Sequence, residues 1–353
     1  MSSPAVPRIE PAPTTDVERL VSLACRAPSV HNTQPWRWRY AGGLLTLSAD
    51  LSRRLAVEDP RGRDLTLSCG AALHHLQFAA RALGWATDVE RLPPGPDETE
   101  LARIRVHRTD RTVVVPEDLE LLDARRTDRR RFTAWPVPGH RLDDLCRLAA
   151  PWGVRAAAVS DDGARFRLEL LANQALTALE LDARRQAEQD HWIGRGSADG
   201  IPPDLLPDEP DPLQARSRFR PGLLEDTRMV LHGGDRVIAL GGADDDVAGW
   251  LRSGEAMSAL WLEATREGLS VVPMSQPTEV EETRREIGRS VLGGAFEPHV
   301  LLRVGWQAIG RGGLPRTPRR PLADVLEVQG PAWGPKVPSR GGFRPWGRTP
   351  GAS

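Results

Sequence analysis

Apolar residues recur at helical spacing in two stretches, Gly70–Trp85 (GAALHHLQFAARALGW) and Gly254–Leu269 (GEAMSALWLEATREGL). Positions i, i+3, i+4 and i+7 are apolar in each, which predicts helices with one buried stripe. Aligned without gaps, the two share Gly70/Gly254, Ala72/Ala256, Leu76/Leu260, Ala80/Ala264 and Gly84/Gly268. Gly84 and Gly268 fit a left-handed residue closing each helix. A strand ending in Ala-Asp precedes each helix (Gly43–Asp50 and Val237–Asp244), and another follows (Ala102–Val106 and His299–Val304). Strand–helix–strand order occurring twice predicts a duplicated α/β or α+β chain.

Outside this repeat the pattern changes. Phe166–Gln189 has helical composition. The polar stretch that follows, about 190–221, is rich in Gly, Pro and Asp and reads as a flap or as a disordered insertion. Residues 1–15 are Pro/Ala-rich and residues 329–353 Pro/Gly-rich, and both read as disordered tails. The expected organisation is a first half over 16–120 and a second half over 121–328.

Composition narrows the chemistry. The 353 residues are 40% hydrophobic and 27% charged, an ordinary globular balance, and the net charge of −1 gives no general attraction to nucleic acid or membrane. Basic residues are nearly all arginine; the one lysine, Lys336, lies in the Pro/Gly-rich tail, which argues against Schiff-base or P-loop lysine chemistry. Cys25, Cys69 and Cys146 are too few and too widely spaced for a disulfide framework or zinc knuckle. No run is long and apolar enough for a membrane helix, and no secretory signal is visible, so the expected location is cytoplasmic. His74-His75 invites a metal reading, but neighbours on a helix point about 100° apart, so no metal site is expected.

Two motifs carry candidate chemistry. Ala27–Trp36 (APSVHNTQPW) is a turn-rich polar loop feeding an aromatic strand, a usual place for ligand contacts. Arg125–Phe132 (RRTDRRRF) holds five arginines around a threonine and an aspartate. Guanidinium forks and a hydroxyl suit phosphate oxygens, although a solvated charged face is the commoner fate of such a run.

Together these motifs resemble the nitroreductase family. PSxxNxQPW is similar to its flavin-contacting loop, and RRTDR to its phosphate-holding RRSxR segment. Glu267–Gln276 (EGLSVVPMSQ) resembles the stretch along the isoalloxazine ring, and His299–Trp306 the closing strand. The motif order resembles the Acg-type branch, with two nitroreductase halves fused in one chain.

The resemblance implies two pseudo-symmetric halves, each a mainly antiparallel sheet packed with helices. Family homodimers build each FMN site from both subunits. Here the first half has the loop and the second the arginines, while Ala150–Trp152 looks like a worn-down second loop; one composite FMN site is implied. Carried over, Arg125, Thr127, Arg129 and Arg319 or Arg320 face the phosphate. Pro28, Ser29, Val30, Asn32 and Gln34 line one side of the flavin, and Pro273, Met274, Ser275 and Gln276 the other. Ser275-Gln276 replaces the family's Glu-Gly pair near the flavin N5. The flavin carries the chemistry, so no catalytic side chain is expected. The implied activity is NAD(P)H-dependent reduction of a nitro, quinone or similar small acceptor, the nicotinamide binding transiently. FMN storage with little turnover is the alternative, and a flavin-free anion-binding scaffold a third reading. The chain would be a pseudo-dimeric monomer or a homodimer.

Overall fold

The computed structural model describes residues 11–108, 115–130, 132–194, 199–206, 234–308 and 313–329. Arg131, residues 195–198 and 207–221 of the flap segment, and the tails before residue 11 and after 329 lie outside the described residues.

The first half runs α1 (Thr14–Ala24), β1 (Trp36–Ala41), β2 (Leu44–Ala49), α2 (Arg63–Ala82), β3 (Ala86–Arg91) and β4 (Glu100–His107). After α3 (Glu117–Ala124) come α4 (Gly139–Arg147), β5 (Arg155–Val159), α5 (Asp162–Glu180), α6 (Ala183–Trp192), β6 (Arg236–Gly242), α7 (Val247–Arg266), β7 (Ser270–Met274), β8 (Glu297–Gly305) and β9 (Leu326–Val328). One sheet has the order β3-β4-β2-β1-β9, the other β7-β8-β6-β5. With β9 removed, the two orders are the same strand for strand. All pairs within this shared pattern are antiparallel.

Local sequence explains the main elements. In β1, Trp36, Trp38 and Tyr40 are buried while Arg37 and Arg39 are exposed, the period-two pattern of a half-covered strand. Gly84 and Gly268 close their helices at φ +78° and +79°, a conformation that costs glycine nothing. Phe166–Gln189 is two helices, because the Asp182 carboxylate accepts the Arg184 N–H and starts a new one. The expected single buried stripe of Gly70–Trp85 is too narrow. Nearly every α2 residue is buried, because α1 and α7 both pack against the helix within its own half and across to the other. Its polar residues find partners: His74 Nδ1 lies 2.8 Å from Ser258 Oγ on α7.

Residues 11–15 are not part of a loose tail. The Ala12 N–H donates to the Val106 carbonyl at 3.2 Å, and Ala12 O accepts from the Tyr40 hydroxyl at 2.6 Å. Ala12 is buried and α1 begins at Thr14. The hydrophobic anchor is a single small residue, too slight to stand out in a Pro/Ala-rich segment.

The last strand crosses over. β9, from the C-terminal end of the chain, pairs in parallel with β1, Trp38 opposite Leu326 and Tyr40 opposite Val328. This return carries the Arg319-Arg320 segment back to the first-half loop.

Candidate functional site

The APSVHNTQPW loop adopts an unusual backbone. His31, Asn32 and Gln34 have φ of +45°, +56° and +50°. Left-handed backbone at a non-glycine residue costs roughly 1–3 kcal/mol and persists only when surrounding contacts over-determine it. Those contacts are present. Ser29 Oγ accepts the Gln34 N–H at 2.9 Å, and the Val30 N–H donates to Ser68 Oγ at 3.2 Å. His31 Nε2 meets Glu58 Oε2 at 2.6 Å, both side chains almost wholly buried. Asn32 Nδ2 donates to the Gly200 and Pro318 carbonyls at 2.9 and 3.1 Å, and its Oδ1 accepts from Arg319 at 3.1 Å.

The arginine segment approaches from the other half. Arg125 follows α3, and its guanidinium stacks over the Trp261 ring of α7 at 4.8 Å. Its Nη2 donates to the Arg26 carbonyl at 2.8 Å, while Nε has no partner among the described residues. Seven residues on, the Phe132 ring fills the space over Gly305 of β8, pinning the far end of the segment.

These parts enclose a cavity of about 150 Å³. Pro28, Ser29 and Asn32 line one wall; Arg125, Thr127 and Arg129 line another; Arg319 closes it from the C-terminal arm. Sequence-expected residues from both halves therefore share one pocket. Val30, Gln34, Arg320, Pro273, Met274, Ser275 and Gln276 are not among its lining residues. Gln34 is fully buried and its Oε1 accepts the Arg320 N–H at 2.9 Å, so it holds the arm that presents Arg319. Arg320 turns away, 3.5 Å from the Asp50 carboxylate. Pro273 and Met274 pair with β8, and Ser275 precedes the short helix Gln276–Glu279. Arg130 is held by Asp128 in a two-point contact of 2.8 and 2.7 Å.

The pocket is strongly positive. Burial, then repulsion from Arg319 and Arg126, pulls Arg125 down to about 9, and burial pulls Arg319 down to about 10. Neither guanidinium bonds a carboxylate among the described residues. Charges drawn out of water are normally paired, so this arrangement suits an anion. Planar guanidinium forks beside a threonine hydroxyl match phosphoryl oxygens.

Other lining residues were not anticipated. Arg26 directly precedes the APSVHN motif, and Arg316-Thr317 opens RTPRR; adjacency to a motif was their only signal. Ile201, Leu205 and Leu314 give the pocket an apolar edge and pack together with Leu206 and Ile193, a contact that no local pattern announces. His31, within the same loop, has its Nε2 on Glu58. His74 and His75 are both buried inside α2 packing, and among the described residues no three His, Cys, Asp or Glu side chains cluster as metal ligands. Among the described residues no helix is long and apolar enough to cross a membrane.

Fold and site thus define a two-sheet α+β protein with one arginine-lined pocket between the APSVHN loop, the RRTDR segment and the C-terminal arm. No family model matches the chain. Curated relatives do. It is 39% identical over 320 residues to "Putative NAD(P)H nitroreductase Rv3131" of Mycobacterium tuberculosis, covering 88% of this chain and 91% of that one. It is 36% identical over 328 residues to "Putative NAD(P)H nitroreductase acg" of the same organism, covering 90% and 97%. Among solved structures, a Bacteroides fragilis nitroreductase with bound FMN aligns at 15% identity and TM-score 0.37, over 56% of this chain and 92% of that one. A nitroreductase-like protein of Bacillus cereus aligns at 14% identity and TM-score 0.34, over 60% and 94%. On the strength of the mycobacterial relatives, the chain belongs to the nitroreductase family, in its Acg-type branch.

Proposed function

We propose that this chain is an FMN-dependent oxidoreductase that takes electrons from NAD(P)H and passes them to a nitro, quinone or similar small acceptor. The observation that carries the reading is that Arg125, buried, and Arg319, partly buried, neither with a carboxylate partner among the described residues, line one pocket together with Ser29 and Asn32. In that arrangement Arg125, Thr127, Arg129 and Arg319 hold the FMN phosphate. Ser29 and Asn32, fixed by the strained loop, set the position of the rest of the molecule. Pro273–Gln276, which do not line this pocket, take no part in holding the phosphate. FMN supplies the hydride chemistry when bound, and the chain supplies orientation and field.

The names of the relatives point to the same donor. The test is direct. The purified full-length chain, loaded with FMN, should show a flavin spectrum and bleach anaerobically on addition of NADH or NADPH. A flavin that binds but stays oxidised with both donors would overturn the reading.

One observation favours FMN storage as the second reading. Asn32 bonds the Gly200 carbonyl, and Ile201 and Leu205 cover one edge of the pocket. Under storage, substitutions that loosen this edge release flavin without raising turnover.

A further inference from the structure

The pocket holds more positive charge than a monophosphate matches. Leaving Arg129 aside, five arginines among the described lining residues (Arg26, Arg125, Arg126, Arg316 and Arg319) face a single carboxylate, Asp123. A phosphate monoester carries about −1.5 to −2 at neutral pH. Asp123 and that phosphate together leave about two positive charges over, on the same phosphate charge.

The surplus sits in one place. Arg125, which is buried, and Arg319, which is partly buried, form the floor. Arg26, Arg126 and Arg316 gather at the mouth around Asp123: Arg26 bonds its carboxylate directly and Arg316 lies 3.7 Å from it. Arg126 donates to the Asp123 and Arg125 carbonyls, so it bridges mouth and floor. Burial and Arg316 push the Arg126 pKa down, Asp123 only partly opposing them. The Arg26 carbonyl accepts from both Arg125 and Arg319, which locks the mouth to the floor. Three guanidiniums are thus held beside one carboxylate, contiguous with the floor.

We propose that the mouth formed by Arg26, Arg126 and Arg316 binds a second phosphoryl group next to the one on the floor, so the pocket takes a diphosphate-bearing ligand. This rests on the floor being the phosphate end of the flavin site. The second phosphoryl comes either from the flavin itself, as in FAD, or from the nicotinamide dinucleotide.

Calorimetry on the full-length protein with inorganic phosphate and with pyrophosphate tests it. Pyrophosphate should bind at least about tenfold tighter, and Arg26→Gln or Arg316→Gln should each shrink that preference about threefold to tenfold while moving phosphate affinity less than about twofold. A preference that neither variant changes overturns the proposal. Thermal melts confirm that each variant is folded; Arg316 is largely exposed, so its variant keeps the test valid if Arg26→Gln fails to fold. FMN that fails to bind while the pyrophosphate preference behaves as expected sinks the flavin reading alone. FMN that binds while the preference stays flat sinks this one alone. Two further arms identify the source, and either supports the proposal: an FAD-over-FMN preference lost in the variants assigns the second phosphoryl to the flavin, and a raised KM for NADPH at unchanged kcat in the FMN-loaded variants assigns it to the donor.

Discussion

Gly70 of α2 and Gly254 of α7 touch backbone to backbone. A Cβ on either would lie 3.0 Å from the other's Cα, and 2.1 Å from a carbonyl oxygen, that of Leu251 or Leu67 respectively. Leu67 and Leu251 are themselves equivalent, each three residues before its glycine. The helices therefore cross on a pseudo-two-fold axis at the first residue of the internal repeat. The neighbouring equivalent pair, His74 and Ser258, is hydrogen-bonded across the same crossing.

Gly70→Ala and Gly254→Ala should each force the helices apart. The obstacle is backbone, which cannot rotate away, so the loss should reach the upper part of the 1–3 kcal/mol range for overpacking, about 2 kcal/mol or more. At roughly 1–2 °C per kcal/mol for a chain of this size, Tm should fall by about 3 °C or more. An unchanged melting curve would mean that the crossing is not rigid.

Arg125→Ala should weaken FMN binding at least about tenfold, the worth of one buried charge-assisted bond. Arg129→Ala should also weaken it. Arg130→Ala should cost less than about threefold, because Arg130 is occupied by Asp128 outside the pocket and an ion pair of this kind contributes little to a neighbouring site. Flavin-fluorescence titration of the three variants decides. Equal losses would indicate a diffuse basic surface.

Asn32 does two things, and two substitutions separate them. Asn32→Gly keeps the φ of +56° available but removes the contacts to Gly200, Pro318 and Arg319. Asn32→Ala removes the same contacts and adds backbone strain of about 1 kcal/mol or more. Alanine should therefore be the more damaging in both Tm and FMN affinity. The opposite ranking would show that the loop relaxes freely.

Acid should destabilise the fold through three buried histidines. Burial is the leading cause in each: it lowers His74 to about 3 and His299 to about 4, and holds His75 well below its ordinary value. Each stays neutral when folded and gains a proton when unfolded below about 6.5, so the unfolded chain binds more protons. Their contribution to stability is full above about pH 6.5 and is lost as pH falls toward 4. Near pH 5 the three together should make stability fall by about 4 kcal/mol per pH unit, before carboxylates act. Melting at pH 7, 6 and 5 measures it; His75→Asn should flatten the slope, and an unaltered slope would show that His75 does not titrate on unfolding.

The duplicated helices, the strands beside them and the two glycine caps were legible in the linear chain. Each is set by periodicity or by a conformation that one residue type prefers, and both act over a few neighbouring positions. The two chemical motifs were visible for the same reason, as short runs of suitable side chains. Other features needed the folded molecule. Gln34 is bonded to Arg320, 286 residues away, and Arg319 and Arg320, adjacent and chemically alike, face opposite ways only because the arm leading to β9 passes that loop. Arg26 and Arg316 join the pocket because the end of α1 and the C-terminal arm converge on Asp123. Local propensity decided which segments became helix, strand or turn, whereas packing across the Gly70–Gly254 crossing and the return of β9 to β1 decided which charges met, since electrostatic partners are chosen by distance in space and not along the chain.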